Sequence, residues 1–234
     1  PNVWLNLGIR QADTLIPVTS ATWTLTSPFG AAKAIQDTAT GLNGKFVYFV
    51  PDTTGDWTAS FSATTQYGTV TGSQKIVVAK FIGAGISLSS NQGVPNGCAC
   101  HLVDPGKFSD WSKTNHATAV KRKLNDPAGH FSFSCFSCHS IGYDGVTTSG
   151  NFGFDDVATA ENFKTVSRNA PGVFDSLVTL YPKSMALTGI QCENCHGPAG
   201  QHVSPAPVPG NNKLDQTWSN HVCAPCHFSS DRHG

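Results

Sequence analysis

The sequence predicts two domains of different class: an all-β, sandwich-type amino-terminal domain over residues 1–90, and a carboxyl-terminal domain of loops and short helices over residues 91–234. All eight cysteines and all nine histidines lie at or after Cys98, whereas the earlier part is rich in Thr, Ser, Ala and Gly. Short stretches of that earlier part alternate apolar and hydroxyl side chains, the period of a strand with one buried face. From Ile82 to Gly97 the chain is mostly Gly, Ser, Asn and Pro with no sustained period, so the break between domains is expected there.

The clearest alternation is Trp57-Thr-Ala-Ser-Phe-Ser-Ala-Thr64, which places Trp57, Ala59, Phe61 and Ala63 on one face. Thr22-Trp-Thr-Leu-Thr26 does the same with Trp23 and Leu25. Val3 to Leu7, Lys45 to Val50 and Lys75 to Phe81 are further strands, separated by turn formers such as Ser27-Pro-Phe-Gly30 and Pro51-Asp-Thr-Thr-Gly55. Strands this short and this spaced make a small β-sandwich. The region has no cluster of His, Cys or carboxylates that could carry chemistry, so a spacer or packing module is expected, with adhesion or subunit contact as the alternative. Beyond the break, Ser109 to Leu124 predicts a helix capped by Ser109 or Asp110, with His116, Val120 and Leu124 on one face.

Three clusters read Cys-x-x-Cys-His: Cys135-Phe-Ser-Cys138-His139, Cys192-Glu-Asn-Cys195-His196 and Cys223-Ala-Pro-Cys226-His227. This is the attachment signature of c-type haem. Two thiols must reach the two vinyl groups of one porphyrin while the next residue turns its imidazole onto the iron. Zinc ribbons and disulfides are the competing uses of eight cysteines. Neither needs a histidine directly after the second cysteine, and here one follows every pair.

The fourth cluster, Cys98-Ala99-Cys100-His101, is one residue short of the pattern. Cys100 can still form a thioether while His101 ligates iron. Either the loop adapts so that Cys98 reaches its vinyl group too, or the haem hangs from Cys100 alone.

Four covalently attached haems are therefore expected, with His101, His139, His196 and His227 as proximal ligands. His116, His130, His202, His221 and His233 remain for the four distal positions, and Met185 is the only methionine. Coordination by two histidines on every iron is the economical reading, with His116, His130, His202 and His221 as distal ligands and His233 as a tail residue. It implies low potentials, because methionine ligation raises them. The stretch from Cys98 to the end is too short to wrap each haem in its own globule, so the haems are expected to supply most of the apolar core there.

Charged residues make up 13% of the chain, 15 basic against 15 acidic, and no basic patch argues for nucleic acid. No run of residues has the length of a membrane-crossing helix and no signal peptide is visible. The chain opens at Pro1, as a mature or truncated form would. Haem is attached covalently outside the energy-conserving membrane, so an extracellular or cell-surface location is expected, with the periplasm as the alternative.

The run Gly189-Ile-Gln-Cys-Glu-Asn-Cys-His-Gly-Pro-Ala-Gly-Gln-His202 and the Trp111-x-x-x-x-His116-Ala117 segment resemble multihaem c-type cytochromes of the tetrahaem electron-transfer group. Haem count and histidine inventory are similar to those of extracellular tetrahaem cytochromes that polymerise into conductive filaments. That resemblance implies a homopolymer in which one distal histidine comes from the adjacent subunit, with redox proteins or extracellular acceptors as partners. Phe49 to Thr64 resembles the late strands of immunoglobulin-like domains of the polycystic-kidney-disease type. A monomeric periplasmic shuttle is the nearest alternative. An oxidoreductase of the nitrite or hydroxylamine type is the more distant one, because five spare histidines leave no obligatory vacancy on iron and no Cys-x-x-Cys-Lys variant is present.

Overall fold

A computed structural model describes residues 3–12, 14–37, 44–84, 107–147, 149–164 and 167–203, together with Cys223, Cys226 and His227. The chain divides into two compact units, one from Pro1 to Val78 with Ala206–Asn212, the other from Ala79 to Pro205 with Lys213–Gly234.

The first unit is antiparallel β throughout its described residues. Its strands are β1 (Val3–Asn6), β2 (Ile9–Gln11), β3 (Thr14–Ile16), β4 (Val18–Thr26), β5 (Ala32–Lys33), β6 (Gln36–Asp37), β7 (Phe46–Phe49), β8 (Gly55–Thr65) and β9 (Gly68–Val78). They form a four-stranded sheet in the order β5-β4-β8-β9, a three-stranded sheet β1-β7-β6, and the hairpin β2-β3. The expected face of β8 is realised at Trp57, Ala59 and Ala63, all buried, while Phe61 is half-buried and packs its ring 5.5 Å from that of Trp23. Leu25, Phe49, Trp57 and Ala59 form the core, with Val3 and Leu5 of β1 and Ile76 and Val78 of β9 against it, so both larger sheets contribute to one apolar cluster.

β9 begins earlier than its apolar pattern indicates. Tyr67 donates its amide to Thr65 Oγ1, which donates in turn to the Gly68 carbonyl at 2.9 Å. Gly68 has φ +107°, open to glycine and strained for other residues, so the chain reverses there and Thr65 pairs with Gly68. At its other end β9 stops at Val78. Phe81, expected in the strand, instead donates its amide to the Asn151 carbonyl at 2.8 Å, inside the second unit. The division at Val78/Ala79 thus falls ahead of the Ile82–Gly97 stretch and of the residue 90 boundary, because backbone groups of residues 80–84 are hydrogen-bonded into the second unit.

The second unit holds α1 (Lys107–Ser112), α2 (Asn115–Asn125), α3 (Phe154–Ala160), α4 (Val173–Leu180), α5 (Pro182–Ala186) and α6 (Cys192–His196), with a 3-10 turn at Phe133–Ser137. The single helix expected over 109–124 is broken. Thr114 is the cap of α2, its Oγ1 accepting the Ala117 amide at 3.2 Å, in place of Ser109 or Asp110. Val120 and Leu124 are buried as expected, but His116, in the first turn of α2, is exposed.

The apolar core of this unit comes from its own side chains. Val120, Leu124, Phe131, Phe136, Ile141, Phe154, Ala158, Phe174, Leu177, Met185 and Leu187 form one buried cluster. Residues 120–187 thus have an apolar core of their own, and burying several phenylalanines gives this short region a driving force to fold. Among the described residues no helix is long and apolar enough to cross a membrane.

One pH dependence follows from this packing. Asp155 is buried at the start of α3; its Oδ2 accepts the Gly145 amide at 2.8 Å, and its Oδ1 is buried without a hydrogen-bond partner. Burial raises its pKa, and neighbouring Asp144 raises it further. The folded chain then holds this proton more tightly than the unfolded one. The resulting stability is complete below pH 3.8, the ordinary value, and is lost as the pH rises through the higher folded value. The stability of Asp155→Asn relative to the parent should therefore increase with rising pH in denaturant titrations; a pH-independent difference would contradict it.

Candidate functional site

The first attachment motif is seated on the aromatic core. Phe136, between Cys135 and Cys138, is buried and stacks on Phe154 with ring centres 4.5 Å apart. The Cys135 carbonyl accepts the amides of Cys138 at 3.2 Å and His139 at 3.0 Å, which winds the motif into a tight turn. The Phe131 ring meets the His139 ring edge-on at 5.6 Å. Cys135, Cys138 and His139 are each half-buried, so the motif presents its reactive side chains at the edge of the core.

The second motif is helix α6, and it is interlocked with the first. Ser140 and Thr188 form an antiparallel bridge, Gly189 donates its amide to the His139 carbonyl at 2.8 Å, and Ile141 donates to the Leu187 carbonyl at 3.0 Å. Asn194, between the two cysteines, accepts the Gln191 amide at 2.7 Å and donates to the Ser140 carbonyl at 2.9 Å. The segment leaving one motif and the segment entering the next are thus paired backbone to backbone. Trp111 and His116 are tied to the same place: the Trp111 indole donates to the Ile190 carbonyl at 2.9 Å, and Ile190 donates to the His116 carbonyl.

The third motif brings Cys223, Cys226 and His227 toward the other two. The Cys226 thiol donates to the Cys138 carbonyl at 3.8 Å. Its pKa is pushed up to about 11, first by burial, then by Cys138, with Cys195 and Cys223 adding to it. Burial also raises the Cys195 thiol, with Cys223 and Cys192 contributing. The Cys226 thiol of the third motif thus lies against the first. Cys135, Cys138, Cys195, Cys223 and Cys226 are free thiols, so no disulfide is formed by these five.

Of the expected distal ligands, the described residues include His116, His130 and His202, all exposed. The His116 ring centre lies 6.1 Å from that of His227, the expected proximal histidine of the third motif, with the planes at 52°. Two imidazoles on opposite sides of one metal, each bonded at about 2 Å with its ring centre about 1 Å further out, stand about 6 Å apart. Their planes are free to rotate about the shared axis. His116 and His227 are therefore the residues that would hold one haem iron between them.

Among the described residues no three His, Cys, Asp or Glu side chains converge as a cage for a metal ion. Haem asks for no such cage, because the porphyrin fills the equatorial positions and leaves two axial ones. Met185 is fully buried in the core from α5, so it is spent on packing. Cys98, Cys100, His101, His221 and His233 lie outside the described residues.

Two side chains of the second motif escaped the sequence reading. Glu193 is buried, and burial raises its pKa while the amides of Ala199, Gly83 and Ile82 pull it back down. Gln191, just before Cys192, is also buried; its Oε1 accepts the Ala84 amide at 2.6 Å. The only sequence signal for either was their position within or beside the motif. Comparison of the chain with family models, curated proteins and solved structures gives no match.

Proposed function

We propose that the chain is an electron carrier holding four c-type haems, on Cys98 and Cys100, Cys135 and Cys138, Cys192 and Cys195, and Cys223 and Cys226, each iron ligated by two histidines. Bound haem supplies a one-electron couple between ferric and ferrous iron. The observation that carries the reading is the 6.1 Å separation of the His116 and His227 rings, one from the first turn of α2 and one from an attachment motif 111 residues later in sequence.

The roles of the residues follow. The cysteines anchor the porphyrin edge, and His139, His196 and His227 give the proximal nitrogen. His116 would hold the same iron as His227, and a second histidine ligand would shut out exogenous ligands and favour transfer over catalysis. The bridge between Ser140 and Thr188 ties the segment leaving the first motif to the segment entering the second. Burial of Met185 leaves histidine as the distal ligand and the potentials low.

In its most concrete form the carrier is a subunit of an extracellular conductive filament, with a distal histidine donated across the subunit interface. The amino-terminal sheets then form an immunoglobulin-like sandwich that serves as spacer or contact module. Intact mass of the native protein tests the attachment: four haem additions are expected, and bare polypeptide mass would end the reading. Negative-stain microscopy of the same material with haem staining tests the assembly. Uniform haem-positive filaments are expected, and discrete particles at high concentration would leave a periplasmic shuttle.

A further inference from the structure

Glu193 sits between the two cysteines of the second motif, where a side chain has no obligation to the haem, yet it is only 3% exposed. Its Oε1 accepts the Ala199 amide at 2.6 Å and its Oε2 accepts the Gly83 amide at 2.7 Å, while the Ile82 amide lies 3.2 Å from both oxygens. Each of these partners is an N–H donor, and none is a group to which a carboxylic acid could give its proton. Such a cradle fits the ionised carboxylate, whose charge-assisted hydrogen bonds are the stronger kind. No lysine or arginine is among these partners, so the charge is held by dipoles and left unneutralised. The cradle itself is closely fitted. Gly83 has φ +74°, a conformation strained for any residue with a Cβ, so glycine favours the path of residues 82–84 past Glu193.

We infer that Glu193 is a positioning residue with an electrostatic role: it clamps residues 82–83 and Ala199 around the second motif and fixes a buried negative charge within one helical turn of His196, lowering the reduction potential of the haem attached there. The inference rests on the haem reading above. A buried anion favours the ferric state, which carries one more positive charge than the ferrous state. With low effective dielectric around it, the preference is larger than a surface carboxylate would give.

The test compares the holoprotein with Glu193→Gln and Glu193→Asp by intact mass and by spectroelectrochemical titration. With four haems retained, Glu193→Gln should raise one of the four potentials and leave the other three in place. Glu193→Asp, which keeps the charge, should stay close to the parent. Four haems with unchanged potentials in Glu193→Gln would overturn the inference while leaving the haem reading intact, whereas a haem-free parent would remove both. If Glu193→Gln loses its haem or its fold, Glu193→Asp decides. A parent-like potential supports the fixed charge, and a potential raised despite the retained charge overturns it. Amide hydrogen exchange on the parent reads the clamp separately: Gly83 and Ala199 should be protected, and rapid exchange at both would refute it.

Discussion

Replacing His116 with alanine is expected to convert one haem in four from low-spin to high-spin and to open that iron to cyanide or carbon monoxide, at about one ligand per chain. The side chain is exposed in the first turn of α2, while the buried contacts of that helix come from Ala117, Ala119, Val120 and Leu124. Alanine is also the better helix former, so the fold should survive the change. What is lost is the imidazole facing His227 at 6.1 Å between ring centres. Two companion variants sharpen the result. His116→Met should keep that iron low-spin and raise its potential, because a thioether favours the ferrous state. His227→Ala should give a high-spin centre at the same haem, which stays anchored by Cys223 and Cys226. A His116→Ala protein with four haems, a wholly low-spin spectrum and no cyanide binding would show that another residue closes that iron.

The expected histidine roles were read one residue at a time because the attachment chemistry they would serve is local. Two cysteines and a histidine would have to meet one porphyrin, and the spacing of Cys135, Cys138 and His139 is the one such a need predicts. Which distal histidine faces which motif is a different kind of fact. His116 meets His227 only after α2 has packed Val120 and Leu124 into the core, and no short-range pattern encodes that meeting. Met185 shows the same limit: in sequence it is a lone candidate ligand, and in the fold it is buried in the cluster that also holds Leu187 and Phe174.

The strands divide along similar lines. β8 was readable because eleven residues with a buried face give several turns of the two-residue period. The strands β2, β3, β5 and β6 have only two or three residues each, too few for a period to show. The early start of β9 was hidden because Thr69, Thr71, Ser73 and Gln74 are exposed, so that stretch has no apolar alternation. The break between α1 and α2 lay in Thr114, whose hydroxyl caps one helix where a continuous apolar face at Val120 and Leu124 favoured a single long one.

The largest loss of stability is expected from Phe154→Ala. The Phe154 side chain is fully buried at the start of α3, stacked on Phe136 at 4.5 Å and edge-on to Phe163 at 5.5 Å. Its backbone amide donates to the Ile141 carbonyl at 3.0 Å, which ties it to the segment that leaves the first motif. Truncation leaves a cavity under Phe136, the residue that seats Cys135 and Cys138, and costs about 3–5 kcal/mol. A domain has about 5–15 kcal/mol in all, so the second unit should lose much of its margin. Phe152, two residues earlier, provides the contrast. It is 49% exposed, and its main described contact is the Lys80 ammonium 4.2 Å from its ring centre. Phe152→Ala should therefore cost only about 0.5–1 kcal/mol. Denaturant unfolding followed by near-ultraviolet dichroism in the haem-free chain separates the two. A midpoint for Phe154→Ala no lower than that for Phe152→Ala would mean that the aromatic cluster does not bear the first attachment motif. The intact packing of Trp57 against Phe49 gives the internal standard, since both rings belong to the other unit and should unfold as in the parent.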